Sequence, residues 1–522
     1  MIRAALVVFI ASFCTLVVEL VAGRVLAPYV GVSLYTWTSI IGVVLAGISA
    51  GAYAGGRLAD RRPAPSTLGW LLLASGLTAM LIAPATQFLG GDDGVLTSMG
   101  VATTLLSRVV VLSFLLFFLP SFFLGMISPV AVKLAVGDLA TAGSVVGKIY
   151  AFSTLGSIAG TFLTGFVFVA RFGTKATLIG VGVALIASAF LFGGFLGRKG
   201  QAGAVLLLAG GLAYCGLWPG ADPPPPYRDP LLPTAELGEI HFEESQYYTI
   251  RVARTIRDDT GAPLHELQLD HLVHSYADPD DPAHLEYGYL RIFNDVVEWT
   301  ARERTPSRLL FVGGGGYTLP RLVSETHPLT EIDVVEIDPA VTRVAARYFG
   351  VPRDAAIRTI NEDARWFAMR ASEPYDVIFV DAFNDLSVPY HLTTRESAQL
   401  LKRLLTPGGA IVVNLIDDYG RGRFLASYVR TLQSVFGERN VGVMAEAMED
   451  LSSERSTFVV VASESLPSIF GPDANGAMLP QAQIARYLKE REAIVLTDDY
   501  APVDNMLAPL FAGRFVDEQG EE

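Results

Sequence analysis

The sequence predicts two folds in one chain: an α-helical transmembrane bundle, then a small β-sheet leading into an α/β Rossmann-like domain. Three observations carry this reading. Apolar runs of spanning length recur through residues 1–219. The charge divides at the same place, with 12 Lys and Arg against 5 Asp and Glu in residues 1–220 (+7), and 27 against 48 in the remainder (−21). Strand and helix patterns then alternate from about residue 286. The whole chain is 522 residues long, 51% hydrophobic and only 18% charged, whereas a soluble protein averages about 25% charged. Two materials joined end to end resolve that conflict. Disorder, collagen-like structure and a disulfide scaffold are excluded, and Cys14 and Cys215 both lie in apolar runs.

The apolar runs are Ala4–Pro28, Leu34–Tyr53, Leu68–Leu89, Val109–Val130, Val146–Val169, Thr177–Phe195 and Ala202–Trp218. A spanning helix needs about 20 residues, and lipid leaves no partner for unpaired backbone, so helices are expected. Seven is the resulting count, with the last run marginal. Pro120 and Pro129 make the fourth either a kinked helix or a re-entrant pair. Arg3, Arg57, Arg61, Arg62, Lys133, Arg198 and Lys199 fall on one side and Asp92 and Asp93 on the other. The N-terminus is therefore expected in the cytoplasm, although Arg171 and Lys175 run against this. Seven spans put the rest of the chain outside; six or eight put it inside. Glu19 and Arg24 read either as part of a path through the membrane or as a packing pair. Gly156, Gly160 and Gly165 suit close helix packing.

Residues 220–234, with Pro223–Pro226, form a stiff linker. Residues 235–285 alternate in short runs (Gly238–Phe242, Tyr248–Ala253, Leu264–Leu269), which predicts a small antiparallel sheet with a turn at Asp258–Gly261. Residues 286–522 form the α/β domain. There the helix Leu285–Thr300 is followed by strands at Arg308–Val312, Glu331–Glu336, Ile357–Ile360 and Asp376–Val380. Helices are expected at Leu319–Glu325, Pro339–Tyr348 and Glu396–Leu405, and the turn Thr406–Gly409 leads to a strand at Ala410–Asn414. Such βαβ alternation implies a parallel sheet, with ligands at the carboxyl ends of its strands.

Those ends carry the chemistry. Gly313, Gly314, Gly315 and Gly316 let the backbone pass close to a ligand after the first strand. Glu336 ends the second strand, where an acid accepts ribose hydroxyls; Asp363 follows the third, within reach of an adenine amino group; Asp381 ends the fourth. The loop Gly-Gly-Gly-Gly-Tyr-Thr-Leu-Pro is not G-x-G-x-x-G, so a pyrophosphate cradle is not evident. Three acids with no phosphate cradle suit an adenosine that bears a cation, such as the sulfonium S-adenosylmethionine. Each acid alone also reads as a strand-end or capping residue.

On these residues the chain resembles the spermidine synthases, the polyamine aminopropyltransferases. The resemblance rests on Leu310-Phe-Val-Gly-Gly-Gly315, Val335-Glu-Ile-Asp338, Glu362-Asp-Ala364, Tyr375–Asp381 and Leu405-Thr-Pro-Gly-Gly409, with Leu267–His274 and Glu286–Tyr289 upstream. It covers roughly residues 236–415. Gly55–Arg61 and the closing Leu496–Val503 are similar to bacterial proteins that fuse a transporter-like membrane region to such a domain. The resemblance implies a methyltransferase-type Rossmann-like domain of the spermidine synthase fold. It implies passage of an aminopropyl group from decarboxylated S-adenosylmethionine to putrescine or another polyamine, releasing methylthioadenosine. Glu336 would then hold the ribose, Asp363 with Ala364 the adenine, and Gly313–Gly315 the donor. Asp381 would take a proton from the attacking amine, which Tyr289 would help to position. An alkylamine is mostly protonated at neutral pH and cannot attack until a base removes that proton.

There are departures. The family has an acid where this chain has Gly316, a second aspartate where it has Asn384 (Asp385 adjoins it), and glutamine where it has His274. Losing the acid at 316 opens an alternative, an enzyme that uses S-adenosylmethionine itself to methylate an amine or to cleave or cyclise the donor. A third reading, of another class, is a polyamine transporter or sensor with a binding-only domain. His274 and His391 read either as bases near neutral pH or, more commonly for lone histidines, as structural hydrogen bonders. Asp498 and Asp499 read either as a lid that holds the polyamine or as the end of a strand. The expected partners are an amine and the lipid bilayer of the bacterial inner membrane, with homodimerisation left open. Nucleic acid is not expected, since the acidic half has no basic patch. No metal is expected either, because no His/Cys cluster has ligand spacing.

Overall fold

The computed structural model describes residues 1–30, 33–90, 105–194, 238–257, 260–270, 272–304, 307–351, 357–382, 388–447, 451, 455–464 and 474–513. The run 202–218, the proline linker, Asn384 and Asp385 lie outside them. The chain divides into two compact units, Met1–Pro225 with Glu244–Thr249, and Pro226–Glu243 with Ile250–Glu522.

The first unit contains helices α1 (Ile2–Val30), α2 (Leu34–Arg61), α3 (Pro65–Gly90), α4 (Leu105–Ala135), α5 (Ala142–Leu163) and α6 (Val169–Phe192). Among the described residues, six helical stretches are long and apolar enough to cross a membrane, from 22 to 30 residues with mean hydropathy 1.5 to 2.5. The six correspond to the first six expected runs. Helix α4 continues through both Pro120 and Pro129, so it is one helix and not a re-entrant pair. A π-turn, Thr164–Phe168, joins α5 to α6. Close packing depends on missing side chains: a Cβ at Gly51 would lie 2.1 Å from the Phe122 carbonyl oxygen, and one at Gly156 2.3 Å from that of Phe9. Gly160 packs likewise against Phe13, but Gly165 has nothing within 4 Å and takes no part.

The second unit contains two sheets. Strands β1 (Gly238–Glu244), β2 (Thr249–Ile256), β3 (Pro263–Leu269) and β4 (Leu272–Ala277) make a four-stranded sheet in sequence order. Eight further strands make the main sheet: β5 (Arg308–Val312), β6 (Glu331–Val335), β7 (Ile357–Ile360), β8 (Tyr375–Val380), β9 (Leu405–Asp417), β10 (Val441–Ala445), β11 (Ser456–Ser463) and β12 (Ala477–Met478). Their order is β12-β10-β11-β9-β8-β5-β6-β7. The segment β9-β8-β5-β6-β7 is parallel, and β11 is antiparallel to both β9 and β10.

Period-two alternation buries both faces of this sheet. Leu309 and Phe311 pack on one side and Leu310 and Val312 on the other. The helices are α7 (Gly288–Glu303), α8 (Thr318–Thr326), α9 (Pro339–Tyr348), α10 (Ala364–Arg370), α11 (Arg395–Arg403), α12 (Phe424–Phe436), α13 (Gln481–Glu490) and α14 (Val503–Gly513). One expected feature is corrected. Thr406–Gly409 is not a turn ahead of the strand but a bulge inside β9, because Tyr375 pairs with Leu405 and Val377 with Ala410. The extra residues loop out there, with Gly408 at φ +77°.

Candidate active site

The strand order reverses between β5 and β8, the switch point at which open α/β sheets bind ligands. The loops leaving these two strands meet there. Gly313 has φ +99°, and a Cβ on it would lie 2.3 Å from the Asp381 carbonyl oxygen. Conformation and close approach therefore both require glycine at this position. Tyr317, also left-handed at φ +57°, turns the chain into α8.

Beside this loop, Glu336 is 7% exposed. The Gly314 N–H donates to its Oε2 at 2.8 Å and the Asp338 N–H to its Oε1 at 2.9 Å. Burial raises its pKa, and these N–H groups oppose the rise. Each carboxylate oxygen retains acceptor capacity, enough for a pair of hydroxyls. Asp363 caps α10, taking the Trp366 N–H on Oδ1 at 2.9 Å, while His391 Nε2 sits 2.9 Å from Oδ2. Burial pushes Asp363 upward, but the helix N–H and the histidine outweigh it, and its pKa is lowered. Ala364 is the first residue of that helix.

Asp381 follows β8 and is fastened from two sides. The Tyr289 hydroxyl, in the first turn of α7, donates to Oδ2 at 2.9 Å, and Asn414 Nδ2 donates to Oδ1 at 2.9 Å. Burial raises the Asp381 pKa against these two hydrogen bonds. Tyr289 is itself pushed well above its ordinary value, by burial first and then by the Asp381 charge, so it remains a donor. Phe293, Phe311 and Phe379 stack beneath, with ring centroids 4.8 to 5.0 Å apart along the series. A pocket lies between Asp381, Tyr289, these rings, the glycine loop and His274. The arrangement offers a part-buried carboxylate with a raised pKa, held in one orientation, facing a pocket lined by aromatic rings and the glycine loop. It suits removal of a proton from a group held there.

The sequence-predicted residues divide accordingly. Gly313, Gly314, Gly315, His274, Tyr289 and Asp381 line one pocket, and Glu336 joins them through Gly314. Tyr289, expected to help position the amine, has its hydroxyl on Asp381. His391 braces Asp363. Asp498 does not line the pocket: Arg365 grips both of its oxygens and the Thr394 hydroxyl donates to Oδ1 at 2.7 Å, while Asp499 is exposed. Asn414 escaped the sequence reading. Its signal is a polar residue ending the apolar run Ala410–Val413. Among the described residues, no group of three or more His, Cys, Asp or Glu could hold a metal.

Residues 294–460 match the family described as the spermine/spermidine synthase domain. The chain is similar to a polyamine aminopropyltransferase of Vibrio vulnificus, 34% identical over 166 residues, which is 31% of this chain and 53% of that one. It thus spans about half the length of that relative. A polyamine aminopropyltransferase of Chromobacterium violaceum is 30% identical over 184 residues, covering 33% of this chain and 68% of its own. Polyamine aminopropyltransferase 1 of Streptomyces coelicolor is 24% identical over 456 residues, covering 82% of this chain and 78% of its own.

Proposed function

The chain belongs to the spermine/spermidine synthase family, and from that premise we propose that its second unit moves an alkyl chain from an adenosyl sulfonium to an amine. The family's reaction passes the aminopropyl group of decarboxylated S-adenosylmethionine to a polyamine and releases methylthioadenosine. One observation carries the reading: the part-buried Asp381 carboxylate, pinned by Tyr289 and Asn414, beside the glycine loop.

The sulfonium supplies an electrophilic carbon with a neutral leaving group. The protein's part is to bind the donor, orient the two reactants and take a proton. Glu336 accepts the ribose hydroxyls, and Asp363 accepts the adenine amino group in place of His391. Asp381 removes the proton from the amine, and its raised pKa makes it a stronger base than an ordinary aspartate. Tyr289 and Asn414 keep the carboxylate aimed. Phe293, Phe311 and Phe379 give the pocket an apolar floor, and acids suit cationic substrates. Substituting Asp381→Asn tests the assignment. Turnover should fall by about two orders of magnitude or more with nucleoside binding retained. Retained turnover would remove Asp381 from the role.

The first unit sits in a bilayer, on the support of six helices of spanning length and hydropathy. With the N-terminus and the Arg57–Arg62 loop in the cytoplasm, an even number of spans, as the six among the described residues would give, returns the chain to the cytoplasm, where the adenosyl donor is made. The membrane is then the inner membrane of a bacterium. A reporter fused after the second unit that is active only outside the cytoplasm should stay silent; a signal from it would contradict the topology.

A further inference from the structure

The pocket has a second end whose chemistry the proton transfer leaves unused. The glycine loop runs from Gly313, against the Asp381 backbone, to Gly316, where a Cβ would lie 2.5 Å from Ser275 Oγ. At that end stand Ser275, Thr318 and the N-terminus of α8, and His274, which precedes Ser275 in β4, also lines the pocket. Ser275 Oγ and Thr318 Oγ1 are 3.0 Å apart. His274 Nε2 is buried and has no hydrogen-bonding partner among the described residues. Burial pushes the His274 pKa down to about 4, so near neutral pH its imidazole is uncharged and able to donate from one nitrogen. Helix α8 has nine residues, and the first N–H groups of a helix have no partner within it and carry its positive dipole end. Among the described residues lining this pocket Asp381 is the one acid, with Glu336 behind the loop on the Gly314 N–H.

A buried nitrogen without a partner, in a pocket whose lining at Gly316, Ser275 and Thr318 carries no acid and includes a helix N-terminus, is matched by an anion. An ammonium placed there meets neutral groups and the wrong end of a dipole. We propose that this end of the pocket is a carboxylate subsite, and that it takes the carboxylate of an intact amino-acid tail on the adenosyl sulfonium. The proposal rests on the reading of the pocket given above and narrows its donor to the form that keeps its carboxylate, S-adenosylmethionine.

The test titrates the full-length protein in detergent with S-adenosylmethionine, its decarboxylated form and methylthioadenosine, which has no tail. The intact donor should bind roughly tenfold more tightly than the decarboxylated one, the gain from one charge-assisted hydrogen bond. Equal or tighter binding of the decarboxylated donor, with methylthioadenosine still bound, overturns the subsite and leaves the functional reading standing. Binding of none of the three overturns both. In His274→Ala the ratio of the two affinities should fall toward one, and His274→Gln, which restores an N–H donor, should recover part of it. An unchanged ratio in His274→Ala overturns the assignment of the donor to His274.

Discussion

Substituting Tyr289→Phe deletes one hydroxyl and keeps the ring that packs against Phe293 and Tyr287. That hydroxyl donates to Asp381 Oδ2 at 2.9 Å and lowers a pKa that burial raises. A hydrogen bond to a charged group is worth about 1.5–3 kcal/mol. At about 1.4 kcal/mol per pK unit, its loss should raise the Asp381 pKa by roughly one to two units. Asp381 acts in its deprotonated form, so the acid limb of the kcat/KM profile should move to higher pH by that amount. Activity should fall most at low pH and recover toward the basic side. The assay is a pH–rate profile of both proteins with donor and amine saturating in turn. An acid limb that stays in place, or moves to lower pH, would refute the claim that Tyr289 acts through Asp381.

Three other outcomes are expected. Asp417 is buried, taking the Asp418 and Leu425 N–H groups at 2.9 and 2.8 Å, and burial raises its pKa to about 7. A carboxyl raised above its unfolded value of 3.8 gives stability that is complete below that value and lost as pH rises through about 7. Thermal unfolding should therefore show less change between about pH 5 and about pH 8 in Asp417→Asn than in the parent; an equal change would contradict the assignment. Gly51→Leu should cost about 1–3 kcal/mol or prevent assembly of the bundle, whereas Gly165→Ala, with open space around it, should unfold at the parent temperature. Asp498→Asn removes a part-exposed ion pair with Arg365 and should lower stability by under about 1 kcal/mol. It should leave the KM for the amine within about twofold, since Asp498 is not among the residues lining the pocket. A large rise in that KM would favour the lid role instead.

Much of the catalytic unit was legible because its signals are local. Pro339–Tyr348 was found to the residue, since Asp338 caps the helix and Pro339 starts it. The acids at 336, 363 and 381 stand at strand ends marked by apolar runs. The missing parts depend on residues brought together from far apart. Asn414 reaches Asp381 across 33 residues and Arg365 reaches Asp498 across 133. Strand β11 is buried along nearly its whole length, so its apolar run does not reveal that it enters the sheet antiparallel between β9 and β10. The space at Gly316, filled by Ser275 from another sheet, leaves no local pattern either. Membrane helices announce themselves by length and hydropathy alone. Which glycines pack is a property of the bundle: Gly156 and Gly160 do, and Gly165 does not.

In the proposed reaction one displacement joins an amine to a chain taken from an adenosyl sulfonium. The direct measurement incubates the protein with donor and polyamine and follows the nucleoside and the amine together by mass spectrometry. Methylthioadenosine and a lengthened amine should form in equal amounts, both lost in Asp381→Asn. Methylthioadenosine formed with the amine unaltered would mean that the donor is cleaved without transfer, and would contradict that reaction.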